Sequence, residues 1–260
     1  MRTNPVRDRL TSGGVAFGVM ATEFFTPGFC QIAANAGAEF VMFDMEHGAV
    51  GIDVLKAQIA FARGVGIAPF VRPPTLAYGS IASVLDAGAM GIMAPMIETR
   101  DQAEKLASWC RYRPEGVRGV GFGYGHDDYK GGDVVAGMRL ENERTLVIAL
   151  IETAIGIANA DAILSVPGID VGWLGHHDLT NTMGMTGQFD RPEFHAAVDT
   201  WLTACRRHGK TPGILAATVE KAQEWRGKGV RCLCYGTDVG VFQTALATAL
   251  RTLKSDGSAG

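Results

Sequence analysis

The segment "FVMFDMEHGAV", residues 40–50, begins as a buried strand and then ends in ionisable side chains. Its first four residues are apolar at every position, which is typical of a parallel strand whose two faces are both covered by helices. Asp44, Glu46 and His47 follow almost at once. Charged groups are costly to bury unless they have partners or a function. The segment therefore predicts a parallel sheet that carries a polar site at the ends of its strands.

Seven further apolar runs resemble this one, and they alternate with stretches of helical periodicity such as residues 99–112. Strands separated by helices indicate parallel strands joined by crossovers. Eight such units in about 250 residues favour a (β/α)8 barrel over an open doubly wound sheet. We expect one barrel domain, with its core over about residues 13–252 and a flexible polar tail at 253–260. The predicted strands cover residues 14–20, 40–46, 68–73, 91–98, 145–152, 170–175, 211–217 and 230–236.

The composition excludes several classes of function. The 260-residue chain has a formal net charge of −3 and a pI of about 6.1, which gives no reason to expect nucleic acid or an anionic membrane as a partner. The 5 cysteines contain no C-x-x-C pair, so we expect neither a disulfide framework nor a zinc ribbon. No signal-peptide pattern opens the sequence, and no apolar run reaches the roughly 20 residues of a membrane span. We therefore expect a cytoplasmic protein.

Polar side chains recur where the predicted strands end. In a (β/α)8 barrel the loops that follow the strands form the catalytic face, so these groups are expected to share one rim. Each alone is explained as well by a helix cap or a salt bridge, but their convergence favours a functional site. The group comprises Asp44, Glu46, His47, Arg72, Glu152, His176, His177 and Asp178, with Asp86 just before the fourth strand.

Glu152 and Asp178 are hard oxygen donors at the ends of neighbouring predicted strands. Two carboxylates without a nearby cysteine favour a divalent ion that keeps open positions, namely Mg²⁺, Mn²⁺ or Co²⁺. A 2-oxo acid would chelate such an ion, which would stabilise an enolate as a Lewis acid. Arg72 would supply a second positive charge beside the enolate oxygen, and His47 would carry the proton near neutral pH.

Two other kinds of functional group are possible at this rim, namely a catalytic lysine and a histidine metal ligand. A Schiff-base lysine is disfavoured because no lysine lies in or directly after a predicted strand, and Lys210 precedes the seventh strand. His176 and His177 cannot both face the site from an extended strand, because side chains alternate there. Either histidine is a candidate for a third metal ligand.

The glycine-rich stretch "RGVGFGYG", residues 118–125, does not match a dinucleotide-binding motif. Its glycines have no G-x-G-x-x-G register, and it follows no clear strand. The surrounding segment, residues 113–139, is long and polar. We predict that it forms a mobile active-site loop.

Six motifs in order resemble those of the HpcH/HpaI family of metal-dependent class II pyruvate aldolases, over roughly residues 13–245. The resemblance implies a (β/α)8 barrel assembled as a hexamer, a trimer of dimers with the last helix exchanged between partners. It also implies reversible cleavage of 4-hydroxy-2-oxo acids to pyruvate or hydroxypyruvate and an aldehyde, through a metal-stabilised enolate. The motifs are "GAEFVMFDMEHGAV", "PFVRPP", "LDAGAMGIMAPMIET", "RPEGVRGVG", "ALIET" and "GHHDLT".

The resemblance also implies a role for each matching residue. Glu152 and Asp178 correspond to the metal ligands, and Arg72 corresponds to the arginine that stabilises the enolate. His47 with Asp86 corresponds to the dyad that acts as the base through a metal-bound water.

Further roles follow from the same resemblance. Asp44 corresponds to an acidic residue that supports the dyad, and backbone amides of the turn at Gly175, around His177 and Asp178, would hold the substrate carboxylate. The family usually has proline at the position of His176 and a small or aromatic residue at that of His177. These departures concern the substrate and leave the predicted metal ligands unchanged.

The loop at residues 122–132, "FGYGHDDYKGG", also departs from the family pattern. Its acidic residues disfavour a dicarboxylate aldehyde and favour hydroxylated substrates, with hydroxypyruvate as donor or glyceraldehyde as acceptor. Two alternatives stay open. One is a related metal-enolate lyase, either an acyl-thioester lyase of the citrate-lyase type, a decarboxylase or a hydratase. The other is a barrel subunit without catalytic activity.

Overall fold

The structure is a computed structural model that describes residues 1–256, so residues 257–260 of the predicted tail lie outside the described part. Its eight strands are parallel and form a closed barrel in sequence order. This confirms the predicted (β/α)8 architecture. The strands are β1 (Ala16–Ala21), β2 (Phe40–Asp44), β3 (Ala68–Arg72), β4 (Gly91–Ala94), β5 (Leu146–Ile151), β6 (Val171–Leu174), β7 (Thr211–Ala216) and β8 (Cys232–Thr237).

Helices follow every strand and cover the outside of the barrel. None of those in the described residues is both long and apolar enough to cross a membrane. The helices are α1 (Pro5–Thr11), α2 (Pro27–Asn35), α3 (Ile52–Val65), α4 (Tyr78–Ala87), α5 (Arg100–Trp109), α6 (Val134–Arg144), α7 (Ala154–Ala158), α8 (Ala160–Leu164), α9 (His176–Thr182), α10 (Pro192–Arg207), α11 (Val219–Gly227) and α12 (Asp238–Asp256), with a 3-10 turn at Gly125–Asp127.

Side chains of the strands fill the inside of the barrel. The rings of Phe40 and Phe70 stack there, with centroids 4.9 Å apart and planes inclined by 20°. Two glycines make room for them: a Cβ on Gly18 would lie 2.4 Å from the Phe40 ring, and one on Gly91 would lie 2.6 Å from the Phe70 ring. The alternate residues of the same strands face the helices, so both faces of the sheet are apolar.

The last helix, α12, leaves an apolar groove beside the barrel. It contacts β1 and β8, but the side chains of Phe242, Leu246 and Leu253 on it are exposed. A cavity of about 560 Å³ lies between α12, α2 and the outer face of β1. Residues 253–256, predicted as part of a flexible tail, form the last turn of α12.

The structure places most of the segment 113–139 away from the strand ends that carry the polar residues. It connects α5 to α6, and its last part is the beginning of α6, which leads to the amino-terminal end of β5. There a Cβ on Gly125 would lie 2.3 Å from the carbonyl oxygen of Ala87, at the end of α4. The prediction of an active-site loop therefore finds no support within one chain, because helix-to-strand connections lie opposite the catalytic rim.

Candidate active site

Arg72 and Asp44 form a buried ion pair where β3 and β2 end. The two residues are direct partners in the register of these strands. Arg72 donates from Nε to Oδ1 of Asp44 at 2.8 Å and from Nη2 to Oδ2 at 2.6 Å. Burial by itself would lower the arginine pKa, but the hydrogen bonds and charge of Asp44, together with the charges of Glu46 and Glu152, raise it. The pair thus holds a charged guanidinium in one orientation at the rim.

The carboxylate of Asp44 also shapes the loop that follows β2. Its Oδ1 accepts hydrogen bonds from the backbone N–H groups of Glu46 at 3.0 Å and His47 at 3.4 Å. This is an Asx-type turn, which the aspartate favours at the end of a strand. Asp44 therefore positions the backbone before His47, and its side-chain partner is Arg72.

Glu152 follows β5 and is 3% exposed. Its Oε1 accepts a hydrogen bond from the backbone N–H of Met96 at 2.8 Å. Burial raises the pKa of Glu152 from 4.5 to about 7, with further contributions from the negative charges of Glu46 and Asp178. A cation beside this carboxylate would offset both causes, so the site is suited to bind one.

Gly175 keeps the second oxygen of Glu152 accessible. A Cβ on Gly175 would lie 2.5 Å from Oε2 of Glu152, a distance that no side chain permits. Gly175 precedes α9, and Asp178 lies in the first turn of that helix with an exposed side chain. The absence of a side chain at Gly175 thus preserves space around two carboxylates that could hold a metal ion.

The structure corrects the expected setting of His176 and His177. Both lie in the first turn of α9, not in an extended strand. Their rings lie 5.3 and 5.2 Å from the ring of Phe189. Burial, with a contribution from His177, lowers the pKa of His176 to about 4. Residues 1–256 contain no group of three or more His, Cys, Asp or Glu side chains arranged around a metal position. A third histidine ligand is therefore not supported.

Glu46 belongs to the site, although no specific role was predicted for it. Its Oε2 lies 3.1 Å from Nη1 of Arg72. Burial raises its pKa, and the charges of Asp44 and Asp178 add to this effect. The spacing of two residues between Asp44 and Glu46 was the available signal, because it places both on one side of an extended chain.

His47 and Asp86 are not brought together within one chain. His47 follows β2, its side chain is 64% exposed, and its Nε2 lies 4.0 Å from Oε2 of Glu46. Asp86 lies near the end of α4, before β4 begins, where it binds Arg118 at 2.6 Å. Strands of four to six residues at about 3.3 Å per residue separate the two ends of the barrel by roughly 13–20 Å. The predicted dyad therefore requires a second copy of the chain.

The donor set at the rim fits a hard divalent ion. Glu152 and Asp178 offer carboxylate oxygens, and burial together with the charges of Glu46 and Asp178 raises the pKa of Glu152, which a cation beside it would lower. Oxygen-only ligands of this kind suit Mg²⁺ or Mn²⁺ better than softer ions. Two protein ligands would leave coordination positions for a small molecule.

Comparisons with known proteins identify the family of the chain. Residues 22–245 match the model of the HpcH/HpaI aldolase/citrate lyase family. The 2-keto-3-deoxy-L-rhamnonate aldolase of Shigella sonnei (strain Ss046) is 31% identical over 253 residues, which cover 97% of this chain and 94% of that protein.

Solved structures show the same similarity. An HpcH/HpaI aldolase from Desulfitobacterium hafniense DCB-2 has a TM-score of 0.91 at 27% identity, covering 95% of this chain and 96% of that one. The citrate synthase SbnG has a TM-score of 0.87 at 29% identity, covering 96% and 98% of the two chains. The predictions of the family and of a lyase of the aldolase type are confirmed: the chain belongs to the HpcH/HpaI aldolase/citrate lyase family.

Proposed function

We propose that the protein is a divalent-metal-dependent aldolase that reversibly cleaves 4-hydroxy-2-oxo acids to pyruvate or hydroxypyruvate and an aldehyde. The observation that carries the proposal is that Arg72, oriented by Asp44, acts electrostatically on the buried carboxylate of Glu152, whose pKa is raised to about 7. The rim thus carries one positive group, Arg72, and one negative group, Glu152. Arg72 can meet a developing oxyanion, and Glu152 can meet a cation.

Mg²⁺, Mn²⁺ or Co²⁺ held by Glu152 and Asp178 would supply a Lewis acid for the keto oxygen of the substrate. Arg72 acts on the same oxygen from the protein side. Its Nε and Nη2 are engaged by Asp44, which leaves the N–H groups of Nη1, beside Glu46, to donate to the substrate. Because Asp44 fixes the guanidinium in advance, little reorganisation is needed when negative charge develops on the enolate oxygen.

The substrate carboxylate would bind at the turn before α9. The backbone N–H groups of His177 and Asp178 lie in the first helical turn, where no intrahelical acceptor exists. Gly175 allows the chain to pass close to Glu152 at this point. A 2-oxo acid bound here would place its keto oxygen toward Glu152 and Arg72.

His47 would move the proton, supported by Asp86 of a second copy. Its side chain projects into solvent beside the site, so it can meet a group from another chain. Asp86 is partly exposed at the opposite end of its own barrel. A carboxylate beside a histidine orients the ring and stabilises its protonated form.

The proposed hexameric assembly, with the last helix exchanged, is supported by α12. Phe242 and Leu246 on this helix are exposed, and the groove of about 560 Å³ beside β1 is apolar. An exchanged helix would cover both surfaces. Sedimentation velocity would give the mass of the assembly.

Deuterium exchange into pyruvate and hydroxypyruvate, followed by NMR, tests the proposal most directly. The protein is stripped with a chelator and then supplied with Mg²⁺, Mn²⁺ or Co²⁺. We expect exchange only with metal, loss of exchange in Glu152→Gln, and normal exchange in Glu104→Gln, which changes an exposed glutamate of α5. No exchange with either acid and any of the three ions would contradict the aldolase proposal.

The aldehyde is the less constrained part of the substrate. Similarity to relatives named 2-keto-3-deoxy-L-rhamnonate aldolase supports a polyhydroxylated 4-hydroxy-2-oxo acid. The loop at residues 122–132, from which hydroxylated substrates were also expected, lies at the opposite end of the barrel within one chain and adds no support. Cleavage of a panel of 2-keto-3-deoxy sugar acids, with pyruvate release measured, would rank the candidates.

A second candidate function is condensation or cleavage of an acyl thioester. The similarity to the citrate synthase SbnG favours it, because that chain is matched over 98% of its length. Both reactions would use Arg72 and Glu152 in the same way, so the site alone does not separate them. Incubation with oxaloacetate and acetyl-CoA, followed by measurement of free thiol, distinguishes thioester chemistry from aldol cleavage.

A further inference from the structure

A buried arginine holds Asp86 in place. Arg118 donates from Nη2 to Oδ1 of Asp86 at 2.6 Å and from Nη1 to Oε2 of Glu141 at 2.9 Å. The side chains of Arg118 and Glu141 are each 1% exposed, whereas that of Asp86 is 37% exposed. The three residues come from separate parts of the chain: α4, the segment after α5, and α6.

Surrounding groups fix the guanidinium itself. Glu141 is paired with Arg144 as well, so the carboxylate that binds Arg118 is held from a second side. The ring of Tyr112 lies 4.7 Å from Cζ of Arg118 and covers one face of it. Arg118 thus has one orientation, and it presents Nη2 to Asp86 at the surface.

The exposed carboxylate is held by only one side chain. Within residues 1–256, no group other than Arg118 binds the side chain of Asp86. One oxygen of Asp86 is therefore fixed and the other is available to a group outside the chain. Arg118 already has a buried partner in Glu141, so a salt bridge that served only stability would not need the exposed Asp86 as well.

We propose that Arg118, braced by Glu141, is a positioning residue that orients Asp86 for its contact with His47 of a second copy. The inference rests on the proposed aldolase function, in which that contact supports proton transfer. An arginine serves here because its planar fork binds two carboxylates in fixed directions, which a lysine cannot do. Arg118 touches neither substrate nor metal, and it acts through Asp86.

The test compares two reactions of the metal-loaded protein. Proton exchange at C3 of pyruvate requires removal of a proton by His47. Decarboxylation of oxaloacetate breaks the C3–C4 bond, releases CO₂ and leaves the electron pair on C3 of the enolate, which then takes a proton from water. No base has to remove a proton from carbon in this second reaction.

Arg118→Lys is expected to slow proton exchange by about 10²-fold, the effect of misplacing a catalytic group by about 1 Å. Decarboxylation should change less than about threefold, because Arg72, Glu152 and Asp178 are untouched. Asp86→Asn should likewise slow proton exchange and leave decarboxylation nearly unchanged. The double variant, Arg118→Lys with Asp86→Asn, should exchange protons no more slowly than either single variant, as expected for groups that act as a unit. Equal loss of both reactions would overturn the proposal, as would normal exchange in Arg118→Lys.

A spectroscopic readout keeps the test independent of activity. The ring resonances of His47, identified by their loss in His47→Asn, should shift equally in Arg118→Lys and Asp86→Asn in the metal-free protein. No shift in Arg118→Lys, where Asp86→Asn gives one, refutes positioning by Arg118 even if the wild type lacks aldolase activity.

A further variant keeps the proposal testable if Arg118→Lys fails to fold. Glu141→Gln keeps an acceptor for Arg118 and should cause a smaller change in the same direction at His47 and in proton exchange. If Glu141→Gln leaves both readouts as in the wild type, the bracing role of Glu141 is wrong.

Discussion

Replacing Glu152 by glutamine is expected to make the metal-free protein more stable above pH 7 and to leave its stability near pH 4.5 unchanged. In the folded protein, burial and nearby carboxylates raise the pKa of Glu152 from 4.5 to about 7. A carboxyl group with a raised pKa in the folded state contributes stability below its unfolded pKa. That contribution is lost as the pH rises through the folded pKa.

The size of the effect follows from these two values. The interval from 4.5 to about 7 corresponds to about 3 kcal/mol at about 1.4 kcal/mol per pH unit. The wild type should lose this amount between pH 4.5 and pH 8, whereas Glu152→Gln should not. Glutamine is chosen because its carbonyl oxygen can still accept the hydrogen bond from Met96.

Urea denaturation in the presence of chelator measures the difference, at one fixed protein concentration because the unfolding of an oligomer depends on concentration. Glu104→Gln is the matched control, since this glutamate is 50% exposed on α5. Adding metal at pH 8 should stabilise the wild type and not Glu152→Gln. If wild type and Glu152→Gln lose stability in parallel between pH 4.5 and pH 8, Glu152 is not the poorly compensated charge that we describe.

Three further changes test other parts of the site and the assembly. Arg72→Lys should lower kcat for cleavage by about 10²–10³-fold, the cost of one lost oxyanion donor, with unchanged circular dichroism, because lysine cannot reproduce the two bonds to Asp44. Gly175→Ala should weaken metal affinity, measured by titration calorimetry, by about 10–100-fold, because its Cβ would lie 2.5 Å from Oε2 of Glu152. Phe242→Asp should reduce the assembly mass in sedimentation velocity, because it charges the exposed apolar face of α12.

Two of these variants have a matched control, and all three have a contrary outcome. Gly28→Ala meets no atom within 4 Å and should bind metal normally. Gln243→Asp adds the same charge on a polar residue of α12 and should leave the assembly intact. Full activity in Arg72→Lys, unchanged metal affinity in Gly175→Ala, or an unchanged mass in Phe242→Asp would each contradict the corresponding assignment.

The contacts between side chains at the rim depend on the register of neighbouring strands. Asp44 and Arg72 meet because β2 and β3 pair residue by residue up to their last positions. The sequence predicts both at strand ends, but the two bonds between their side chains depend on how the strands are aligned. For this reason the ion pair of Glu46 with Arg72 was visible only in three dimensions.

The barrel architecture and the polar residues of its rim could both be predicted from the sequence. Continuous apolar runs such as residues 40–43, separated by helical periods, are stable only when both faces of the strands are buried. Since all strands of a (β/α)8 barrel point the same way, polar residues that end them must share one rim. Arg72, Glu152 and Asp178 were therefore placed together without knowledge of any distance.

The contacts of residues away from that rim could be seen only in the folded chain. Asp86 and Arg118 are near strands in the sequence, but helices run opposite to strands, so both lie toward the amino-terminal ends of the barrel. His176 and His177 were misplaced because the strand ends one residue earlier and a helix begins at His176. Direction and register along the chain depend on packing between distant segments, and a local pattern of residues does not contain that information.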